Sequence, residues 1–328
     1  MSEPPAHEQA ELTPPAAIRR ADPSERREVV EAFLRLGTET ARSADDLLAM
    51  HDRGELPLNG LLIAETETAA DASIVSREGS AVGSIVGVCL YSLGRDGTAI
   101  LWAPRADSRF GLPLGRGLLQ AAVEAATDDG ATLVQMTLPH DHPHRELLAG
   151  CLHFYTALLF LTQSRPFKQT ADAAAVVATP YRDAERDLFV DLLRETFRDS
   201  LDCPEMRAVQ SAERSLASIE ATGTSGTTHW LRFAAAANPE ESIGLVLLTE
   251  QPTLNAWELA YLGLRPPHRR AGLAASMLTH ALQEAVAADT LLLAVDMRNA
   301  PALKLYRRAG FVAFDRQEVW LDRSLRQP

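Results

Sequence analysis

The sequence predicts two tandem α/β domains, each with a mixed (α+β) sheet, and three observations carry that prediction. The chain has 328 residues, long for one small α/β domain and comfortable for two. Strand-like and helix-like segments follow one another in the same order twice. A polar, proline-containing stretch, 163–173, separates the two passes. A repeat this long reads as a domain duplication rather than a solenoid. The expected organisation is a disordered tail over 1–16, a first domain over 17–162, a linker over 163–173 and a second domain over 174–328.

The first pass begins with a short strand at Ile18–Arg20, a helix at Pro23–Leu36 and a further segment at Ala44–Met50. Apolar runs at Leu61–Thr66, Val82–Tyr91 and Thr98–Trp102 read as strands. A helix follows at Gly115–Ala126, then a strand at Leu133–Met136, a helix near Arg145–Cys151 and a strand at Tyr155–Leu161.

The second pass repeats the order. Ala174–Ala178 is a short apolar strand, and Asp183–Phe197 a helix with Leu188, Leu192 and Leu193 expected inward. Met206–Ile219 suggests a second helix. His229–Ala236 and Ser242–Thr249 read as strands, with Asn238-Pro239-Glu240 turning between them. Trp257–Leu264 is a strand that must stop, because Pro266-Pro267 cannot continue a ladder. Gly272–Ala288 is a helix, with Leu273, Met277, Ala281 and Ala285 recurring at helical spacing. Leu291–Val295 is a buried strand. Ala300–Ala309 is a helix capped by Asn299, entered at Pro301 and ended by Gly310. Phe311–Leu321 is strand material.

Composition narrows the function classes. A net charge of −12 argues against nucleic acid as the main partner, since phosphate backbones need a basic face. It leans towards a cationic or amine substrate. No apolar run is long enough to span a bilayer, and 1–16 lacks the apolar block of a signal peptide. Cys89, Cys151 and Cys203 are far apart and form no pair motif, as in a reducing compartment. The expectation is a cytoplasmic monomer or homodimer that binds neither nucleic acid nor membrane. His140-Asp-His-Pro-His144 invites a metal reading, but the three histidines are crowded into one loop without the spacing of a tight zinc site, and no metal is expected.

Two phrases in the last quarter carry chemistry. After Leu264 the chain turns through Arg269-Arg270-Ala271-Gly272-Leu273-Ala274 straight into a helix. The first N–H groups of a helix lack intrahelical partners, and its dipole is positive there. A diphosphate satisfies both needs. Gly272 admits close approach, Ala274 keeps the next turn uncrowded, and Arg269 and Arg270 add charge. The bland alternative is a tight strand–loop–helix joint. The turn lacks the lysine and hydroxyl of a nucleotide P-loop. In the second phrase, Asn299 through Phe311, Leu303, Tyr306 and Ala309 share one helical stripe. Tyr306 alone could be a satisfied core tyrosine.

Together, Arg269-x-x-Gly272-x-Ala274 and Asn299–Phe311 resemble the GNAT superfamily of acyl-CoA-dependent N-acyltransferases, and the element order from Ala174 to Leu321 is similar to it. The double layout resembles tandem GNAT proteins of the mycothiol synthase type. The resemblance implies acetyl-CoA as co-substrate and transfer of an acetyl group directly to a primary amine, on a small molecule or peptide. It implies that the backbone of Leu262, Gly263 and Leu264 holds the pantetheine arm beside a splayed strand. The amides of Arg270, Ala271, Gly272, Leu273, Ala274 and Ala275 would hold the diphosphate. Asn299 would touch the cofactor, and Tyr306 would protonate the departing thiolate. In the first pass the matching turn reads Leu112-Pro113-Leu114-Gly115-Arg116-Gly117, where Pro113 removes a donor. The tyrosine position there is Glu146 if Gly150 matches Gly310, or Leu148 if Leu152 does. The first domain is therefore expected to be degenerate, bracing the second or shaping its substrate site.

A base is also required. Glu258 interrupts the apolar strand Trp257–Leu264, where a carboxylate is costly unless paired or used. It is the first candidate for base or for amine recognition, against a solvent-facing strand-end glutamate. Asp296 is the second, against a turn or capping aspartate. The acidic loop Arg198–Glu205 offers Asp202 and Glu205 to a cationic acceptor, against an ordinary acidic surface turn. Cys203 as a nucleophile is weaker, with no histidine near it in sequence. The competing function class is a non-catalytic acyl-CoA-binding sensor or scaffold, which would not need Glu258 or Tyr306.

Overall fold

The computed structural model describes residues 18–37, 43–54, 56–66, 85–94, 97–142, 145–148, 150–168, 175–204, 211–222, 229–251, 254–285 and 289–322. The expected tail over 1–16 lies outside them, as does the end of the expected linker, 169–173. The chain divides into two compact units. One comprises Met1–Leu93, Ala99–Met136 and Pro143–His153, and the other Gly94–Thr98, Thr137–His142 and Phe154–Pro328.

In the first unit, β1 (Arg19–Arg20), β2 (Gly60–Glu65), β3 (Ile85–Leu93) and β4 (Thr98–Leu101) are successive antiparallel neighbours, and β5 (Arg105–Ala106) also pairs with β3. Val29, Val30, Ala32 and Phe33 of α1 (Arg26–Leu36) pack on Ile63, Val88 and Leu90. Helix α2 (Ala44–Asp52) starts at a reciprocal cap, Ser43 with Asp46. Helix α3 (Gly111–Asp128) lies so close to β3 that a Cβ on Gly87 would meet Leu118 Cδ1 at 2.7 Å. Then come β6 (Leu133–Pro139), the single turn α4 (Arg145–Leu148) and β7 (Leu152–Ser164).

Strand β7 corrects the expected division. The sequence gives a strand at 155–161 to the first domain, but from Phe154 onward this segment belongs to the second unit. It pairs antiparallel with β12 (Thr290–Asp296), from Ser164↔Thr290 to Leu158↔Asp296. Hydropathy identifies a strand but not its partner.

The second unit continues with β8 (Val176–Pro180), α5 (Arg186–Phe197), α6 (Ala212–Thr222), β9 (Trp230–Ala235), β10 (Asn238–Gln251), β11 (Ala256–Leu264), α7 (Leu273–Glu284), β12, α8 (Ala300–Arg308) and β13 (Val312–Asp322). The strand order is β8-β9-β10-β11-β12-β7-β13. Strands β8 to β11 are antiparallel neighbours, whereas β11 and β12 run parallel. On one face Met277, Leu278 and Ala281 of α7 and Leu303 of α8 pack with Trp257, Leu259, Leu291 and Leu293. On the other, Phe189 and Leu193 of α5 and Leu216 of α6 cover Trp230, Leu245 and Leu247.

Two local expectations change. Leu188 is 40% exposed while Phe189, Leu192 and Leu193 are buried. At 3.6 residues per turn Leu188 sits about 100° from Phe189, at the stripe's edge. The turn between β9 and β10 falls at Ala236-Ala237, and Asn238-Pro239-Glu240 opens β10, whose register with β9 is irregular there.

What positions a site is the relation of β11 to β12. They pair at only three positions, Ala256↔Thr290, Trp257↔Leu291 and Glu258↔Leu292. Beyond Glu258 they part: β11 stays with β10 as far as Leu264↔Gly244, and β12 stays with β7. The register against β10 jumps from Leu248↔Leu259 to Leu247↔Tyr261, leaving Ala260 as an extra residue. Such a bulge bends its strand and raises its twist, which drives the two strands apart.

Candidate active site

The parted strands open a cleft of about 860 Å³ within the second unit, lined on one side by Leu259–Leu264. In a ladder, alternate residues aim their amide groups at opposite neighbours. With β12 gone beyond Glu258, half of those groups on β11 face the cleft instead of another strand.

The turn from β11 into α7 forms one end. Arg270 and Gly272 both take left-handed backbone angles, φ 65° and φ 82°. Gly272 is the N-cap of α7, and no side chain caps the helix there. A Cβ built on Gly272 would meet nothing within 4 Å, so this glycine is required by its φ rather than by crowding. Gly272, Ala274 and Ala275 line the cleft, with the Ala275 amide donating to the Gly272 carbonyl at 3.0 Å, and the other opening amides of α7 suit a diphosphate.

Arg269 differs from its sequence expectation as a charge for phosphate. Its guanidinium donates to four carbonyls: Leu264 at 3.0 Å, Asp199 at 3.0 Å, Thr196 at 3.0 Å and Arg198 at 2.7 Å. It straps the end of α5 to the end of β11. Arg270 lines the cleft.

Helix α8 forms a second wall. Asn299 caps it, its Oδ1 accepting from the Ala302 amide at 3.2 Å, and also lines the cleft. Tyr306 is 8% exposed, lines the cleft and packs edge-on to Phe311. Burial pushes its phenol well above the ordinary tyrosine range, and Asp202 and Tyr261 push the same way. A phenol so held stays protonated at neutral pH.

The third wall is the segment after α5. Asp199 and Cys203, with φ 53° and φ 47°, bracket an arch over the cleft. Asp199, Ser200, Leu201 and Asp202 line it, and Thr196 Oγ1 lies 2.9 Å from the Tyr261 hydroxyl. The far end of the arch is tied to Asp296. Asp202 Oδ1 accepts the Asp296 amide at 3.0 Å, and Asp296 Oδ2 accepts the Cys203 amide at 3.2 Å. The fully buried Asp296 also accepts from Thr156 Oγ1 at 2.7 Å and from the guanidinium of Arg298 at 2.7 Å. Burial alone would raise this carboxyl, but Arg298 and the other donors hold it below the usual range. With its oxygens so engaged, Asp296 braces the arch rather than offering a carboxylate to an acceptor, which corrects its expected substrate-binding role.

Glu258 occupies the last paired position of β11, at the root of the cleft and outside its lining. It accepts from Gln251 Nε2 at 2.9 Å, and burial raises its pKa, partly offset by that bond. Glu205 and His144 lie outside the described residues. His140 Nδ1 sits 2.8 Å from Glu318 Oε1. Among the described residues no cluster of His, Cys, Asp and Glu could hold a metal ion, and no helix is long and apolar enough to cross a membrane.

The matching region of the first unit is filled. Helix α3 already starts at Gly111, so Leu112–Gly117 is helix rather than the expected turn. A Cβ on Gly115 would meet Leu147 Cδ1 at 2.4 Å. Gly150, like Gly310, takes a positive φ after its helix (105° and 91°), which selects Glu146 as the counterpart of Tyr306.

The profile of the acetyltransferase (GNAT) family matches residues 188–311, from α5 through α8. This stretch of the second unit is GNAT-like. The fold of the chain is similar to that of a GCN5-related N-acetyltransferase from Sphaerobacter thermophilus, with TM-score 0.61 and 17% identity over 94% of this chain and 96% of that one. It is similar to a tandem GNAT protein from the clavulanic acid biosynthesis pathway, with TM-score 0.51 and 14% identity over 93% and 96%. It is also similar to a glucosamine N-acetyltransferase region of a fungal multi-domain β-N-acetylglucosaminidase, with TM-score 0.62 and 12% identity over 95% of this chain and 38% of that one. At these identities the likeness is one of fold, here a tandem GNAT fold. No curated protein matches the sequence.

The sequence did not signal two features of this cleft. The Arg269 strap joins residues about seventy positions apart. The arch depends on positive φ at Asp199 and Cys203, residue types that only sometimes adopt it.

Proposed function

We propose that the second unit is an acetyl-CoA-dependent N-acyltransferase that moves the acetyl group directly to a primary amine. The observation that carries this reading is the convergence of the open edge of β11, the uncapped start of α7 and the Tyr306 phenol on one cleft. GNAT enzymes in general take acetyl-CoA and an amine acceptor.

In this reading the alternate, cleft-facing amide groups along Leu262, Gly263 and Leu264 hold the pantetheine arm as an added strand would be held. The amides from Arg270 to Ala275 take the diphosphate, and Asn299 touches the arm from the start of α8. An amide near the Ala260 bulge supports the charge that develops on the thioester oxygen. Tyr306 donates a proton to the leaving sulfur. Glu258, through water, draws the proton from the amine. Asp202 favours a cationic acceptor beneath the arch, as Glu205 would.

Acetyl-CoA incubated with a panel of amines, with free thiol followed, tests the proposal. Amine-dependent thiol release is expected, and Tyr306→Phe lowers turnover by about tenfold or more with coenzyme affinity unchanged. Coenzyme binding without thiol release for any amine would indicate a sensor or scaffold instead. Unchanged turnover in the variant would remove Tyr306 from the acid role.

A further inference from the structure

Strand β12 lies between β11 and β7, yet Ala294 near its end is exposed, while Leu293 and Val295 on either side are buried. Ala294 also lines the cleft. Leu291, Leu293 and Val295 belong to the core under α7 and α8, so Leu292 and Ala294 point to the other face. That is the face of Glu258, which stands beside Leu292 in the parallel pair. Helices α5 and α6 cover the same face further along, at Trp230, Leu245 and Leu247.

From Ala294 an apolar row crosses the sheet. Ala294 pairs with Phe160 of β7, so their side chains share a face. Phe160 meets Phe314 of β13 edge-on, with ring centroids 6.3 Å apart. Phe314 is 57% exposed, and Val312, two residues before it on the same strand face, is 61% exposed. Two strand spacings give the row a length of about 10 Å. Two acids flank its cleft end. Leu292, one step back along β12, stands beside Glu258, and Asp296, one step on, is tied to Asp202 of the arch. Single exposed apolar side chains are ordinary, but a contiguous aromatic surface running into a cleft marks a binding surface.

We infer that Ala294, Phe160 and Phe314 form the acceptor-binding surface, and that the acceptor is a small amine bearing an aromatic ring. This rests on the acyl-transfer reading above and names the substrate class for it. Glu258 and Asp202 suit the ammonium head. A ring lying over Phe160 and Phe314 gains stacked or edge-to-face contact. The small Ala294 side chain leaves the path between head and ring open, and a larger residue there would stand in it. An amino sugar fits this surface poorly, because its hydroxyls would lose water against carbon.

Initial rates of thiol release from acetyl-CoA by the full chain, with phenethylamine and with ethylamine, test this. The two amines differ by the ring alone. Wild type is expected to favour phenethylamine about thirtyfold in kcat/KM, the gain from burying one ring. Phe314→Ser, at an exposed position, should cut that preference to about fivefold or less by raising KM for phenethylamine. Ala294→Leu should do the same by blocking the path. Calorimetric affinity for coenzyme A is expected to stay at the wild-type value in both variants, which also shows that they fold. Equal kcat/KM for the two amines in wild type, or a preference that survives both substitutions, would overturn the aromatic surface and leave acyl transfer standing. So would turnover of other amines but not of phenethylamine. A wild-type dimer in sedimentation that Phe314→Ser dissociates would assign the surface to a second copy of the chain and overturn the inference. Thiol release with no amine at all would overturn the acyl-transfer reading itself, and this inference with it.

Discussion

Glu258 and Asp296 show how two carboxylates in one unit are driven apart by their surroundings. Glu258 has one amide donor and is raised by burial. As a base it must be ionised, so turnover should rise as pH climbs through a pKa above that of an ordinary glutamate. Glu258→Gln is expected to remove that limb from the pH–rate profile; a limb that persists assigns the base elsewhere. Asp296 is held low by Arg298 and its other donors. A depressed carboxyl stabilises the fold fully above its unfolded pKa, and that stability is lost as pH falls through the folded value. Asp296→Asn should cost about 3 kcal/mol at neutral pH, since it breaks a buried charged network. Urea unfolding at neutral and acid pH should show a gap to wild type that closes on acidification. A gap independent of pH would contradict this account.

Elements built on local pattern were legible, and those built on distant pairing were not. The helix carrying Leu273, Met277 and Ala281, its opening at Gly272, and the cap at Asn299 follow from spacing and residue type. The candidate site's two phrases were legible for the same reason, because each is a strand–turn–helix or cap–helix signal within a dozen residues. The strap from Arg269, the partner of β7 and the saturation of Asp296 come from contacts far apart in sequence, which periodicity does not register. Leu112–Gly117 was misread because Pro113 fits the first turn of a helix as well as it fits a loop. At this scale the strap can be tested. A lysine at 269 is a point charge without the planar fork, so Arg269→Lys should lose about 1–3 kcal/mol of stability and raise the acceptor KM more than the coenzyme Kd. Equal effects on both ligands would mean that the guanidinium serves the coenzyme instead.

Across the whole molecule, two units of similar element order have opposite fates at the same joint. In the second unit the turn before α7 is open, with left-handed Arg270 and Gly272 and space beyond them. In the first, helix replaces the turn, and Leu147 fills the place above Gly115. Under the proposed function, one competent coenzyme site per chain is expected. A valine at 272 would have to take a left-handed conformation, costing about 1–2 kcal/mol, with its side chain in the space the diphosphate needs. The most direct measurement is a calorimetric titration of the full-length chain with coenzyme A, beside the Gly272→Val variant. Binding with a stoichiometry near one, and loss of that binding in the variant, is the predicted result. No heat from wild type, two sites per chain, or unchanged binding by the variant would contradict it.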